Sequence, residues 1–164
     1  MERPRQDIRL ERIDQILEIV GIIGLALLIG LPIFFYGALP DVIPRHYNAV
    51  GQPNGYSEKG IIWALPAIGL ILYLGLSLLN RYPHKFNYPQ RVTKENAARQ
   101  YKNATRMLRM LNCIIAGVFV YITYSTIRTA LGKQNGLGDY FLPTFLALMF
   151  GTIGYFLYKL TREK

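Results

Sequence analysis

The sequence predicts an all-α integral membrane protein, with four transmembrane helices and a basic amphipathic cytoplasmic helical extension before the third. Three observations carry this. Four runs lack any charged side chain: Ile19 to Pro40 (22 residues), Gly60 to Asn80 (21), Met110 to Ile127 (18) and Tyr140 to Tyr158 (19). Each is long enough for a helix to cross roughly 30 Å of hydrocarbon at about 1.5 Å per residue. The 19 Lys and Arg residues are unevenly divided among the connecting segments, and the segment before the third run has a helical stripe of cations. With 164 residues, four spans leave no room for a separate soluble domain of ordinary size. The expectation is one membrane domain over 1–164, with spans near 16–39, 61–80, 108–127 and 140–159.

Cation placement sets the expected orientation. Four precede the first run, eight lie between Arg81 and Arg109, and three follow Tyr158; only two lie in the 40–60 segment and two between Arg128 and Asp139. The positive-inside rule therefore puts both termini and the central segment in the cytoplasm, and the 39–60 loop outside. A net charge of +9 also raises nucleic acid as a partner, but cations beside spans are expected to face anionic lipid headgroups, so no nucleic acid is implied.

The first helix is expected to start near Asp7, because Leu10, Ile13, Leu17 and Val20 recur at helical spacing. Glu2, Asp7, Glu11, Asp14 and Glu18 argue against a cleaved leader, whose charged end is basic. Pro32 falls inside the first span and Pro66 near the outer end of the second; both are expected to open the helix locally. Gly21 and Gly24, and Gly151 and Gly154, are small residues that let helices approach. Tyr36, Tyr82, Tyr140, Tyr158 and Trp63 fit interfacial belts.

The basic segment 81–109 begins irregularly around Pro83 and Pro89, and Thr93 reads as a helix N-cap. From there Ala97, Tyr101, Ala104, Leu108 and Leu111 form one stripe, and Arg99, Lys102, Arg106 and Arg109 the opposite one. The expected use of these cations is snorkelling among anionic headgroups, with a cytosolic protein as the other partner considered. Cys113, the single cysteine, reads as a packed side chain, and the 132–139 loop as a plain turn. The neutral polar residues of the spans, among them Ser77, Asn112, Thr123, Ser125, Thr126, Thr144 and Thr152, read as interhelical hydrogen-bonding groups.

The outer loop 39–60 holds the candidate site. Pro40, Asp41, Pro44, His46, Asn48, Gly51, Pro53 and Lys59 combine turn formers with ionisable groups in a segment held at the membrane at both ends. An imidazole oriented by a carboxylate can act as a general base, which makes His46 with Asp41 the one catalytic pairing to consider. No HExxH, second nearby histidine, GxSxG elbow or phosphate-binding glycine loop accompanies it, so no metal or cofactor and no assigned catalytic residue is expected. Three uses stay open: a structural loop in which His46 bonds the backbone, recognition of a ligand or partner, and catalysis.

The run Leu39-Pro40-Asp41, Pro44, His46, Asn48, Gly51, Pro53, Gly55 and Lys59 resembles the signature of a family of bacterial membrane proteins of unknown function, a domain that also forms the N-terminal part of SdpI-type immunity proteins. Phe86-Asn87-Tyr88-Pro89, Thr93, Glu95-Asn96 and Tyr101 look like small stand-alone members of the same family. The resemblance implies a bacterial cytoplasmic-membrane protein. In SdpI-type proteins it implies protection against a secreted toxic peptide and sequestration of a cytosolic repressor. SdpI-type chains carry further spans, and Asn54 stands where that signature has an acidic residue. The function expected is therefore non-enzymatic recognition of a secreted peptide or envelope component through the outer loop, of immunity or sensor type. The alternatives are a membrane-embedded enzyme using His46 and Asp41, and a structural accessory subunit.

Overall fold

Four helices long and apolar enough to cross a membrane organise the chain, in a computed structural model that describes residues 3–162. They are α1 (Arg12–Phe35), α2 (Ala64–Leu79), α3 (Ala97–Ala130) and α4 (Phe141–Arg162). All four expected spans are present. Their outward faces carry large apolar side chains such as Ile19, Ile22, Ile33, Ile71 and Phe150, the surface a helix presents to lipid.

α1 starts at Arg12, about one turn later than the apolar stripe suggests. The backbone N–H of Glu11 donates to the Asp14 carboxylate at 3.0 Å, and this reciprocal turn fixes the start. Residues 3–11 instead run extended across the segment that follows α2. The Arg3 guanidinium donates to the carbonyls of His84 and Phe86, and the Tyr101 hydroxyl donates to Pro4 O at 2.9 Å. Pro32 lies buried within α1 and deprives the Leu28 carbonyl of its donor, as expected. Pro66 differs. It is the third residue of α2, where its missing N–H is one the helix leaves unpaired anyway, so it marks a start and not an opening.

α3 is the hub. Its 34 residues span about 51 Å, roughly 20 Å more than a bilayer core, so the basic extension and the third span form one helix. Thr93 and Asn96 cap it reciprocally: Thr93 N–H donates to Asn96 Oδ1 at 2.9 Å, and Asn96 N–H to Thr93 Oγ1 at 3.4 Å. α1 lies parallel to α3, with Gly24 close against Ala116; α2 runs antiparallel, its Gly69 beneath Leu28 and Phe119. α4 returns along α3, stacking Phe141 on Tyr121 at one end and offering the Leu160 carbonyl to Gln100 at the other, 3.0 Å away. Gly21 meets Tyr73, but Gly151 and Gly154 face open space and bring no helix close.

The basic stripe departs from the expected lipid-facing role. Arg106 forks onto α1, with Nε 2.7 Å from Asp14 Oδ1 and an NH2 group 2.7 Å from Glu11 Oε2. Lys102 reaches Glu11 at 2.8 Å, and Arg109 reaches Glu18 at 2.9 Å. Asp14 is 2% exposed. Three of the four cations therefore clamp α1 and its N-cap to α3, because Glu11, Asp14 and Glu18 recur at steps of three and four, and Lys102, Arg106 and Arg109 at steps of four and three on the parallel neighbour. The lysine and arginine bonds hold the Glu11 carboxyl below its ordinary range. Arg99 is exposed.

Candidate functional site

The segment between α1 and α2 folds into an antiparallel hairpin, β1 (Val42–Tyr47) and β2 (Pro53–Glu58). An isolated two-stranded ribbon is marginal in water, so its supports matter. At its base Lys59 N–H donates to the Asp41 carbonyl at 2.8 Å, and the two side chains pair at 3.3 Å. Lys59 also lies 5.5 Å from the centre of the Tyr36 ring. Ile43, fully buried, packs with Leu39, Ile62 and Ile127, burial that contributes about 1.5–3 kcal/mol. One residue before the turn, the Tyr47 hydroxyl meets Thr126 Oγ1 at 3.0 Å. Burial pushes the Tyr47 phenol above its ordinary value, against the opposing pull of Thr126 and Thr129, so it stays a neutral hydrogen-bonding group.

The turn is built by Asn48 and Gly51. Asn48 Oδ1 accepts from Val50 N–H at 3.1 Å and Gln52 N–H at 2.9 Å, and Gly51 takes the left-handed conformation (φ +75°) that closes it. Gly51 O then accepts from Leu137 N–H at 2.7 Å in the α3–α4 loop. A Cβ on Gly51 would lie 2.6 Å from Gly138 O, and one on Gly136 would overlap Gly51 O. The 132–139 loop is therefore more than a plain turn: it clasps the tip of the hairpin, and Tyr121 steadies it by donating to Leu137 O at 2.7 Å.

Two irregularities in the ladder shape the site. Pro44 pairs with Tyr56, His46 with Gly55 and Tyr47 with Pro53, leaving Arg45 and Asn54 as extra residues. The first bulge breaks alternation, so Ile43 and Pro44 are both buried while Arg45 and His46 are both exposed. The second brings Asn54 Oδ1 to 2.6 Å from His46 Nδ1. With that oxygen accepting, Nδ1 carries the proton and Nε2 is the acceptor end of the ring.

Between the underside of β1, the 3₁₀ turn Lys59–Trp63 and α3 lies a cavity of about 380 Å³. Ile61, Ile62, Leu65, Ile122 and Leu137 supply apolar walls; Arg45, His46 and Tyr47 supply its polar edge. Thr123 also lines it, 1% exposed; its hydroxyl is closed off from the cavity and has no partner among the described residues. A buried hydroxyl without a bond carries a desolvation penalty of about 1–3 kcal/mol.

Of the residues singled out in the sequence, His46 alone both borders this cavity and carries a hydrogen-bonding ring at its mouth; Pro44 packs beside it. Asn48, Gly51 and Pro53 build the turn and the start of β2, while Pro40, Asp41 and Lys59 lie at the base. Asp41 sits five residues from His46 along an extended strand, about 16 Å, and bonds Lys59, so the His46–Asp41 pairing does not form. Arg45, Tyr47, Thr123, Thr126 and Leu137 join the site without having been marked as site residues. Thr126 bonds the hairpin and the Thr123 hydroxyl has no partner among the described residues, so neither bridges helices. The visible signal was two threonines three apart near the outer end of a span, on one helical face.

Among known proteins, a model of a domain of unknown function (DUF1648) matches residues 22–70, from within α1 through the hairpin into α2. An uncharacterized protein of Archaeoglobus fulgidus is 24% identical over 141 residues, covering 77% of each chain. No solved structure matches. The chain is thus a helical protein with membrane-spanning character, similar to proteins of unknown function.

Proposed function

We propose that this chain is a non-enzymatic, multi-pass protein of a bacterial-type cytoplasmic membrane that recognises a peptide or envelope component at the outer surface through its hairpin. The observation that carries this is the hairpin held at its base, middle and tip over a cavity with a cationic mouth. A preorganised rim over a mostly apolar pocket is the architecture of binding sites. Cation asymmetry supports the orientation: the hairpin end carries Arg45, Lys59, Arg128 and Lys133, and the remaining cations lie at or near the opposite end. Both termini are then cytoplasmic, with cations such as Arg81 and Lys85 near anionic headgroups.

His46 bonded to Asn54, and Asp41 bonded to Lys59, argue against general-base catalysis by that pair, because the imidazole lacks its orienting carboxylate. The resemblance to SdpI-type immunity proteins favours protection against a membrane-active peptide as the physiological setting. Cells expressing the chain, challenged with a panel of membrane-active peptides, provide the test. Wild type is compared with a variant whose residues 48–57 are replaced by a Gly-Ser loop. Survival that depends on the hairpin at equal membrane abundance supports the proposal; equal survival of both across the panel overturns it.

A further inference from the structure

The cavity under β1 has two features that together define the chemistry of an occupant. Its walls are aliphatic, formed by Ile61 and Leu65 at the start of the second span and Ile122 on α3. Its edge carries Arg45, exposed by the bulge and without an ion-pair partner among the described residues.

We propose that this cavity binds a single-chain amphiphile with an anionic head, the head on Arg45 and His46 and the alkyl chain along Ile61, Leu65 and Ile122. This rests on the outer-surface recognition reading above and names its ligand class. Each part answers one feature. An unpaired guanidinium at a water–lipid boundary selects a phosphate or carboxylate. A dry aliphatic slot selects a chain. His46, with Nδ1–H held by Asn54, presents Nε2 as an acceptor for a hydroxyl of the head, such as the glycerol of a phosphoglycerol, while the anionic oxygens meet Arg45.

Trp63 is the only tryptophan and lies in the same 3₁₀ turn as Ile61 and Ile62, which line the cavity, so a bromine on a chain seated there comes within quenching range. The full chain is reconstituted in phosphatidylcholine bilayers and titrated with lysophosphatidylglycerol brominated on its acyl chain, reading quenching of Trp63. Saturable quenching is expected, displaced by unlabelled lysophosphatidylglycerol more effectively than by lysophosphatidylcholine. Arg45→Gln is expected to abolish that headgroup preference. Quenching that rises linearly with probe, alike for both heads in wild type and variant, means the cavity meets only bulk lipid and overturns the inference. If hairpin-dependent survival persists in that case, the recognition reading stands without the amphiphile. If the Gly-Ser loop leaves survival unchanged while saturable binding is retained, it is the recognition reading that fails.

Discussion

Gly51→Ala tests whether the hairpin is clasped at its tip. Gly51 has φ +75°, and a Cβ there would stand 2.6 Å from Gly138 O and 2.8 Å from Gly138 N, both backbone atoms that cannot swing aside. The left-handed conformation costs an alanine about 1–2 kcal/mol. With the Cβ in place the closed loops also stand too far apart to keep the bond from Leu137 N–H to Gly51 O, so the closed state forfeits about 0.5–1.5 kcal/mol net. Opening of the tip is then favoured by about 1.5–3.5 kcal/mol, which is roughly a ten- to four-hundredfold rise in opening. Hydrogen exchange of the full chain in nanodiscs should show that rise at residues 48–54 and 134–139. The base of the hairpin, held by Ile43 and by Lys59 N–H on Asp41 O, should remain protected. Gly60→Ala, where an added Cβ meets nothing within 4 Å, should leave both segments unchanged. Unchanged exchange at both segments in Gly51→Ala would refute the clasp, and with it the rigid rim on which recognition depends.

Other perturbations separate the helix clamp, the histidine and the orientation. Arg106→Ala strands the buried Asp14 carboxylate and should cost about 3–5 kcal/mol, seen as a large drop in detergent melting temperature, whereas Glu11→Gln at the exposed rim should lower it far less. The Glu11 carboxyl is depressed in the fold, so the stability it contributes is present above its ordinary value of 4.5 and is lost as pH falls through its lower folded value; melting below pH 4.5 should show the decline, and Glu11→Gln should flatten it. His46→Ala removes an exposed side chain whose partner Asn54 is also exposed, so stability should change by less than about 0.5 kcal/mol while hairpin-dependent survival is lost; a clear melting shift would make His46 structural. Reporter fusions at both termini and near Lys94 should read cytoplasm and one at Asn54 should read outside, and a cytoplasmic signal from Asn54 removes the outer-surface reading.

The helical frame was legible because a bilayer imposes a length and a polarity that uncharged runs display directly. The hairpin was not. Pro44, Pro53 and Gly55 weaken the strand signal, and two bulges destroy the period-two alternation by which a strand is recognised, leaving buried Ile43 and Pro44 next to exposed Arg45 and His46. The clamp between α1 and α3 was half visible. Acids at 11, 14 and 18 and bases at 102, 106 and 109 each form a helical stripe, but assigning one to the other requires knowing that the two helices run parallel and in which register. Lipid and a carboxylate stripe are equally good destinations for a basic face until that neighbour is placed.

The candidate site poses the same difficulty over a longer reach. Residues 22–70, the stretch similar to a domain of unknown function, contain the whole hairpin yet none of the groups on α3 and its following loop that hold it. Ile43 needs Ile127, Tyr47 needs Thr126, and Gly51 needs Leu137. A two-stranded ribbon with two bulges and a proline in each strand cannot keep its shape unaided. The signature-like residues of the loop therefore encode half of an interface, whose other half is a pair of threonines and two left-handed glycines that read as ordinary span and turn residues. Gly136 and Gly138 have φ of +108° and +83°, and Gly136 has no room for a Cβ against Gly51 O. The smallest unit that can present Arg45 and His46 over a formed cavity thus runs from the end of α1 to the start of α4, so its binding properties belong to the bundle and not to the loop.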